Sequence, residues 1–236
     1  MNILYAGDSP VGGPANYLLG ILKFLEAKVT HIPPGKILKP RFLKKNYGAI
    51  ILSDFSRKDL SPVSERLIAE QVKSGAGLLM VGGWGSFSGP FGKWRGSLIE
   101  KLLPVSCLPK DDRRNIWSGL TIVQKAKHPI LGNLIFTNPP VLCGLNEVRT
   151  KNEGKVILAA RTIAGAKEYP LLIIDRDPKK RIAAFTTDFA PHWCGGLVDW
   201  GSKRKTLKVS DTIQIEVGNN YIRLASSLIL WLVGKV

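Results

Sequence analysis

Short apolar runs alternate with amphipathic segments along the first third of the chain. Buried strands are predicted at Asn2–Ala6, Val29–Ile32, Gly48–Leu52 and Gly77–Val81, because each is a brief apolar run bounded by turn residues. A helix is predicted from about Pro14, where apolar residues from Tyr17 to Leu25 recur at helical spacing. The alternation of strands and helices predicts a parallel sheet with helices on both faces.

A second helix is predicted between Ser61 and Gly75. Serine is a good N-cap, and Pro62 has the backbone geometry of a first helical position. Glycine at position 75 can adopt the left-handed conformation that ends a helix.

The second half of the chain is richer in predicted strands. Asp177–Lys180 has the composition of a hairpin turn, and Asn219 is predicted to cap a final helix. No repeat or linker divides the chain, so we expect one domain over residues 1–236. The further strands are predicted at Leu120–Val123, Val141–Gly144, Lys155–Ala160, Leu171–Ile174 and Ile182–Thr186.

The composition is that of a globular chain, with 44% apolar and 22% charged residues in 236. Its cysteines, Cys107, Cys143 and Cys194, are odd in number and widely spaced, which argues against a disulfide framework and favours a reducing cytoplasm. No basic leader precedes the first strand, so we expect no signal peptide. The apolar run Leu224–Val233 is shorter than the roughly 20 residues of a membrane span, so we expect no membrane segment.

The charge balance is strongly basic, since 34 Lys and Arg against 18 Asp and Glu give a net charge of +16. Such a surface can attract nucleic acid. The basic residues are dispersed, with short clusters at Lys36–Lys45, Lys179–Arg181 and Lys203–Lys208, and no nucleic-acid motif accompanies them. A solvated basic surface is favoured, and nucleic-acid binding is kept as an alternative.

Polar side chains follow four of the predicted strands. In open parallel sheets, ligands bind beyond the carboxyl ends of the strands. Hydroxyl, carboxylate and imidazole groups at these ends predict a single cleft, although each Asp or Ser can also serve as a helix cap. The residues are Asp8 and Ser9, Ser53 and Asp54, Trp84, Ser86 and Ser88, and Thr186, Thr187, Asp188 and His192.

The turn Gly82–Gly85 (GGWG) after the fourth strand fits neither familiar glycine motif. A dinucleotide fingerprint needs G-x-G-x-x-G, and the third glycine is missing. A hydrolase elbow needs serine at the centre of G-x-S-x-G, where Gly85–Gly89 has Phe87. A structural turn that brings backbone amides close to a ligand or a neighbouring loop stays open.

His192 has two interpretations. It can pair with Asp188 as a general acid or base, or it can be a packed corner residue beside Pro191 and Trp193. Proximity in sequence does not orient it on the thiol of Cys194, so a Cys194 nucleophile is disfavoured. No His and Cys spacing resembles a zinc site, and we expect neither a metal nor a cofactor.

Several segments in order along the chain resemble the cytoplasmic class I glutamine amidotransferase-like proteins. The resemblance covers nearly the whole chain. The matching segments are Tyr47–Asp54 (YGAIILSD), Gly77–Phe87 (GLLMVGGWGSF), Leu102–Val105 (LLPV), His128–Leu131 (HPIL), Gly144–Asn146 (GLN), Pro170–Leu172 (PLL), Ala183–Trp193 (AAFTTDFAPHW), Trp200 and Trp231.

The resemblance implies an α/β, flavodoxin-like fold of the amidotransferase type, and it does not imply the activity. Glutaminases of this class use a cysteine at the strand-to-helix elbow, with a histidine and a carboxylate from a late segment. Trp84 stands at the elbow here and cannot form a thioester. The late segment also resembles that of ThuA-like proteins, which keeps a carbohydrate ligand in view by analogy.

Three functions are therefore considered. The first is a binding module without glutaminase activity, which holds a small polar, sugar-like ligand stacked on Trp84 in a cleft formed by Asp8, Asp54, Trp84, Ser86, Asp188 and His192. The second is an enzyme of different chemistry, with Asp188 and His192 as acid–base pair. The third is nucleic-acid binding. Association of the chain into a homo-oligomer is also left open.

Overall fold

A nine-stranded sheet forms the centre of the computed structural model, which describes residues 1–10, 13–165 and 167–236. The described strands are β1 (Asn2–Gly7), β2 (Lys28–Ile32), β3 (Ala49–Ser53), β4 (Gly77–Val81), β5 (Val105–Cys107), β6 (Arg113–Gln124), β7 (Val141–Asn146), β8 (Val148–Thr150), β9 (Gly154–Thr162), β10 (Glu168–Asp175), β11 (Ile182–Phe185), β12 (Arg204–Lys208) and β13 (Gln214–Gly218). The α-helices are α1 (Ala15–Phe24), α2 (Pro62–Lys73), α3 (Leu98–Leu102), α4 (Pro191–Val198) and α5 (Asn219–Leu232). Short 3-10 turns lie at Pro40–Leu43, Arg57–Asp59 and Pro129–Leu131.

The large sheet has the order β2-β1-β3-β4-β11-β10-β9-β6-β7. The pairs from β2 to β11 are parallel, and those from β11 to β7 are antiparallel. The parallel part follows the flavodoxin-like order, in which the chain reverses its direction of travel across the sheet between β1 and β3. A crevice forms at such a switch point, beyond the carboxyl ends of the strands.

The two faces of the sheet carry separate apolar cores. Alternate residues of β1 point to opposite faces, so that Tyr5 packs with α1 and α5 while Leu4 packs with α2 and α3. The predicted α/β sheet with helices on both faces is confirmed. Strands buried on both faces are nearly continuous apolar runs, which explains why the β1, β3 and β4 segments are apolar throughout.

Local sequence signals place the ends of α2 and the turn between β10 and β11 correctly. The Ser61 side chain accepts a hydrogen bond from the Ser64 amide at the start of α2, and Gly75 has a φ of +106° just after its end. The turn at Asp177–Lys180 joins the antiparallel strands β10 and β11, as predicted.

One local expectation is wrong. Asn219 does not cap α5, because Gly218 is the N-cap and the Asn219 Oδ1 atom accepts the Lys203 amide instead.

A long loop separates the turn after β4 from the next helix, α3, which begins at Leu98. Trp94 is buried in the intervening loop and donates from Nε1 to the carbonyls of Phe55 and Gly85, which keeps the loop compact without a helix.

Leu224–Leu232 belongs to the buried face of α5, which packs against α1 and the sheet. Within the described ranges, no helix combines the length and apolar character needed to cross a bilayer.

Gly82 links the end of β4 to the segment that follows β11. Its amide donates to the carbonyls of Phe185 and Thr187, at 2.8 and 3.0 Å. A Cβ atom at this position would lie 2.1 Å from the Thr186 carbonyl oxygen, which is backbone and cannot move aside cheaply.

We predict that Gly82→Ala lowers the free energy of unfolding by about 2–3 kcal/mol because of this overlap. For a chain of this length the melting temperature should fall by about 5–10 °C, measured by calorimetry. Gly195→Ala is the matched control, since a Cβ there meets no atom within 4 Å. Equal melting temperatures for the two variants would contradict the packing argument.

Candidate functional site

A cavity of about 580 Å³ opens at the carboxyl edge of the sheet, beside the β1/β3 switch point. Its wall contains Asp8, Asp54, Trp84, Asp188 and His192, which follow β1, β3, β4 and β11. The structure therefore brings five of the six predicted site residues to one cavity. Their roles in binding or catalysis stay predictions.

Asp8 and Asp54 have the same local geometry at the ends of neighbouring strands. Both backbones are left-handed, with φ of +48° and +49°, a region that aspartate tolerates better than most residues. The Asp8 amide donates to the Ser53 carbonyl at 3.0 Å, which ties the two strand ends together. The two carboxyls thus reach the same cavity from adjacent strands.

The three carboxyls at the cavity are harder to ionise than ordinary aspartates. Burial raises the pKa of Asp8 to about 7, and the Asp54 carboxylate adds to the rise. Burial also raises the pKa of Asp54. Asp188 has a pKa well above its usual range, first because it is buried and then because Asp8 and Asp54 carry like charge. The cavity therefore brings together three acidic groups that resist ionisation in a poorly hydrated place.

The glycine turn approaches its neighbours too closely for side chains. A Cβ at Gly83 would lie 2.7 Å from Asp54 Oδ1, and one at Gly85 would lie 2.8 Å from the Asp54 carbonyl oxygen. The Gly83 amide donates to Asn146 Oδ1 at 2.8 Å, and the Gly85 amide donates to Asp54 Oδ1. The glycines allow close contact with neighbouring segments, and the amides of Gly83 and Gly85 both donate to protein acceptors.

Ser86 lies beneath the cavity and does not line it. The side chain is buried, and its Oγ accepts a hydrogen bond from the Asp54 amide at 3.1 Å. The placement corrects the expectation that Ser86 reaches a ligand directly. Its contact instead fixes the backbone that carries the Asp54 carboxyl.

Trp84 is half-exposed at the bend, and its ring already has two partners. The Arg113 guanidinium lies 4.1 Å from the ring centroid, and the Phe91 ring stacks with it at 6.3 Å. Arg113 is also paired with Asp111, with 2.6 Å between Nη2 and Oδ2. Trp84 therefore offers a ligand less free surface than its position in the sequence suggests.

Asp188 and His192 lie one helical turn apart across the start of α4. The His192 Nδ1 atom is 4.0 Å from Asp188 Oδ2, which exceeds a hydrogen bond, and the imidazole is 72% exposed. Asp188 Oδ1 instead accepts the Ala190 amide at 3.0 Å. The pair is close without being coupled by a hydrogen bond, and its acid–base role stays a prediction.

Four further residues of the cavity wall were missed by sequence reasoning: Asn115, Trp117, Cys143 and Trp193. Trp117 is 95% exposed at the rim, and the Trp193 Nε1 donates to Asn115 Oδ1 at 2.8 Å. Most of them lie on β6 and β7, which the antiparallel half of the sheet brings to this edge. Solvent exposure cannot be read from the sequence, and Trp117 lies outside the predicted strand at Leu120–Val123, so the sequence offered no signal for its place in the wall.

Asn146 holds the glycine turn from behind. Its side chain accepts from the Gly83 amide and donates to the Gly83 carbonyl at 3.2 Å and to Asp112 Oδ1 at 2.7 Å. Asp112 also accepts the Ser88 amide, and burial raises its pKa to about 6. Asn146, which belongs to the family-like segment Gly144–Asn146, therefore has a structural role in supporting the glycine turn.

The cysteines differ sharply in environment. Cys194 donates from Sγ to the Ala190 carbonyl at 3.0 Å, and burial raises its pKa well above the usual range. Burial raises the pKa of Cys107 as well. Cys143 is exposed and lines the cavity. A nucleophilic role for Cys194 is disfavoured, because a buried thiol with a raised pKa supplies little thiolate.

Comparison with known proteins defines the class to which this fold and cavity belong. The model of the family described as "Putative glutamine amidotransferase" (GATase1_like) matches residues 17–214. The chain therefore belongs to this family of glutamine amidotransferase-like proteins. No curated protein matches the chain.

Solved structures agree with this assignment. Cytoplasmic protein STM1381 from Salmonella typhimurium LT2 is 26% identical with a TM-score of 0.67, covering 82% of this chain and 90% of its own. Cytoplasmic protein STM3548 from Salmonella typhimurium is 22% identical with a TM-score of 0.71, covering 98% of each chain. A ThuA-like protein from Bacteroides uniformis is 11% identical with a TM-score of 0.55, covering 100% of this chain and 92% of its own, and shares the fold.

Proposed function

We propose that this chain is a binding module of the glutamine amidotransferase-like family that holds a small polar, sugar-like ligand and lacks glutaminase activity. The observation that carries the proposal is the cavity at the carboxyl edge, whose wall combines three carboxyls with three tryptophans. Carboxylate oxygens accept hydrogen bonds from hydroxyl groups, and aromatic rings pack on the apolar faces of polar ligands. Concave sites with a few convergent polar groups are typical of small-molecule binding.

The glycine turn lacks two parts that glutamine hydrolysis requires. Its bend presents Trp84, whose indole cannot attack a carbonyl carbon. A tetrahedral intermediate also needs free backbone donors, and the amides of Gly82, Gly83 and Gly85 donate to protein acceptors. The elbow therefore lacks a nucleophile, and these three amides are not free to bind an oxyanion.

Trp117 is better suited than Trp84 to stack on a ligand. Arg113 and Phe91 pack against the Trp84 ring, whereas the Trp117 side chain stands almost fully exposed at the rim. A tryptophan that gains a ligand on its face loses exposed apolar surface, which stabilises the complex. We therefore assign the main stacking role to Trp117.

The two alternatives have weaker support. Acid–base chemistry by Asp188 and His192 would need a ligand to bridge the 4.0 Å between their nearest polar atoms. Nucleic-acid binding rests on the net charge of +16, with an exposed basic run at residues 36–45. A cytoplasmic location is proposed from the cysteine usage and from the two Salmonella proteins that are described as cytoplasmic. Homo-oligomerisation stays a prediction.

We predict no release of ammonia from L-glutamine above that of heat-inactivated protein, measured by a coupled assay. Cys143→Ser is the informative variant, because this cysteine faces the cavity whereas Cys107 and Cys194 are buried. Ammonia release that Cys143→Ser abolishes, in a protein with unchanged melting temperature, would contradict the proposal.

A thermal-shift panel of monosaccharides, amino sugars and polyols tests the cavity. A ligand at 100 times its dissociation constant stabilises the fold by about 2.7 kcal/mol, so a melting shift of several degrees is expected. Trp117→Ala and Asp188→Asn should each remove the shift. Asp211→Asn, on an exposed hairpin far from the cavity wall, should retain it. Shifts that survive both cavity variants would place the ligand elsewhere.

A further inference from the structure

The cavity wall is lined by acidic side chains, whereas the chain as a whole is basic. It contains the carboxyls of Asp8, Asp54 and Asp188, and no Lys or Arg lines it among the residues that the structure describes. The chain as a whole carries a net charge of +16. Because basic side chains are abundant elsewhere, their absence from this wall is a specific feature of the cavity.

We propose that the ligand carries a protonated amine, and that an amino sugar or a similar hydroxylated amine is its chemical class. The inference rests on the proposed function, since it concerns the same cavity. It adds the charge of the ligand and the residues that recognise it.

Asp188 places a carboxyl group in the cavity wall. The residue is only 9% exposed, and its Oδ1 accepts the Ala190 amide at 3.0 Å. Its Oδ2 lies 4.0 Å from His192 Nδ1, which is beyond hydrogen-bond distance. An ammonium N–H would donate a charge-assisted hydrogen bond to this carboxyl, and such a bond is stronger than one from a neutral hydroxyl.

The other two carboxyls are held in place before a ligand arrives. Tyr5 donates its hydroxyl to Asp8 Oδ2, and the Gly85 amide donates to Asp54 Oδ1. These bonds fix each side chain while both residues still line the cavity. An ammonium group entering the cavity therefore meets carboxyls that need little reorganisation.

The tryptophans also favour a positively charged ligand. Cations are attracted to the face of an indole ring, and the Arg113 guanidinium already lies 4.1 Å from the Trp84 centroid. Asp111 neutralises Arg113 through its ion pair, so this guanidinium does not offset the charge of the cavity. Trp117 presents an exposed indole at the rim for the ligand itself.

An anionic ligand fits this cavity poorly. It would face three carboxyls, and the backbone donors of Gly83 and Gly85 in the adjoining turn are already used by Asn146 and Asp54. A neutral sugar could donate its hydroxyl groups to these carboxyls, but it would not supply the nearby positive charge that favours their ionised form. An amino sugar supplies both hydroxyl donors and a positive charge.

Isothermal titration calorimetry with matched probes tests the inference. D-glucosamine is compared with D-glucose and N-acetyl-D-glucosamine, and cyclohexylamine with cyclohexanol, at pH 7 and low salt. Each amine is expected to bind at least about tenfold more tightly than its neutral partner, because charge-assisted hydrogen bonds are roughly twice as strong as neutral ones.

Asp188→Asn keeps the shape of the side chain and removes its ability to ionise. It should weaken amine binding by about tenfold or more and weaken the binding of the neutral probes by a smaller factor, while Asp211→Asn should alter neither. Neutral probes that bind as tightly as the amines would overturn the inference and leave the proposed cavity intact. Binding by no probe of either class would count against both proposals.

Discussion

The close approach between the turn after β4 and the segments after β3 and β11 is the contact on which the site depends. Glycine at positions 82, 83 and 85 lets this turn pass within van der Waals distance of Asp54 and Thr186, where a Cβ atom would overlap them. The turn amides then donate to protein acceptors, and Asn146 holds the turn from the far side. One tight contact thus fixes the Asp54 carboxyl, presents Trp84 at the bend and engages the amides of Gly82, Gly83 and Gly85 with protein acceptors.

The same contact bears on the proposal that this amidotransferase-like fold binds a ligand without hydrolysing glutamine. In the glutaminases that the chain resembles, the elbow presents a nucleophile. Here the elbow is a packing element, and the polar groups of the cavity come from the ends of β1, β3 and β11 together with the antiparallel strands β6 and β7. The switch-point crevice is a property of the sheet order, so it persists when the nucleophile is absent.

The parts of the structure that depend on local sequence could be predicted. Strand β4 and the start of α2 follow from apolar runs, Ser61 and Pro62, and the convergence of Asp8, Asp54 and Asp188 follows from parallel strands sharing one edge. The parts that depend on distant contacts could not. Asn219 has the composition of a cap, but a contact with the Lys203 amide engages its side chain. Trp117 and Cys143 reach the cavity only through the pairing of β6 with β7 and β9.

The central claim is that three carboxyls from three strand ends share one poorly hydrated cavity. Carbon-13 NMR of the aspartate carboxyl carbons across pH measures this directly, with Asp8→Asn, Asp54→Asn and Asp188→Asn assigning the signals. The account predicts a midpoint of about 7 for Asp8 and raised pKa values for Asp54 and Asp188. Asp111 is the internal reference, because its hydrogen bond with Arg113 lowers its pKa. Three midpoints at the ordinary value of a solvated aspartate would contradict the account.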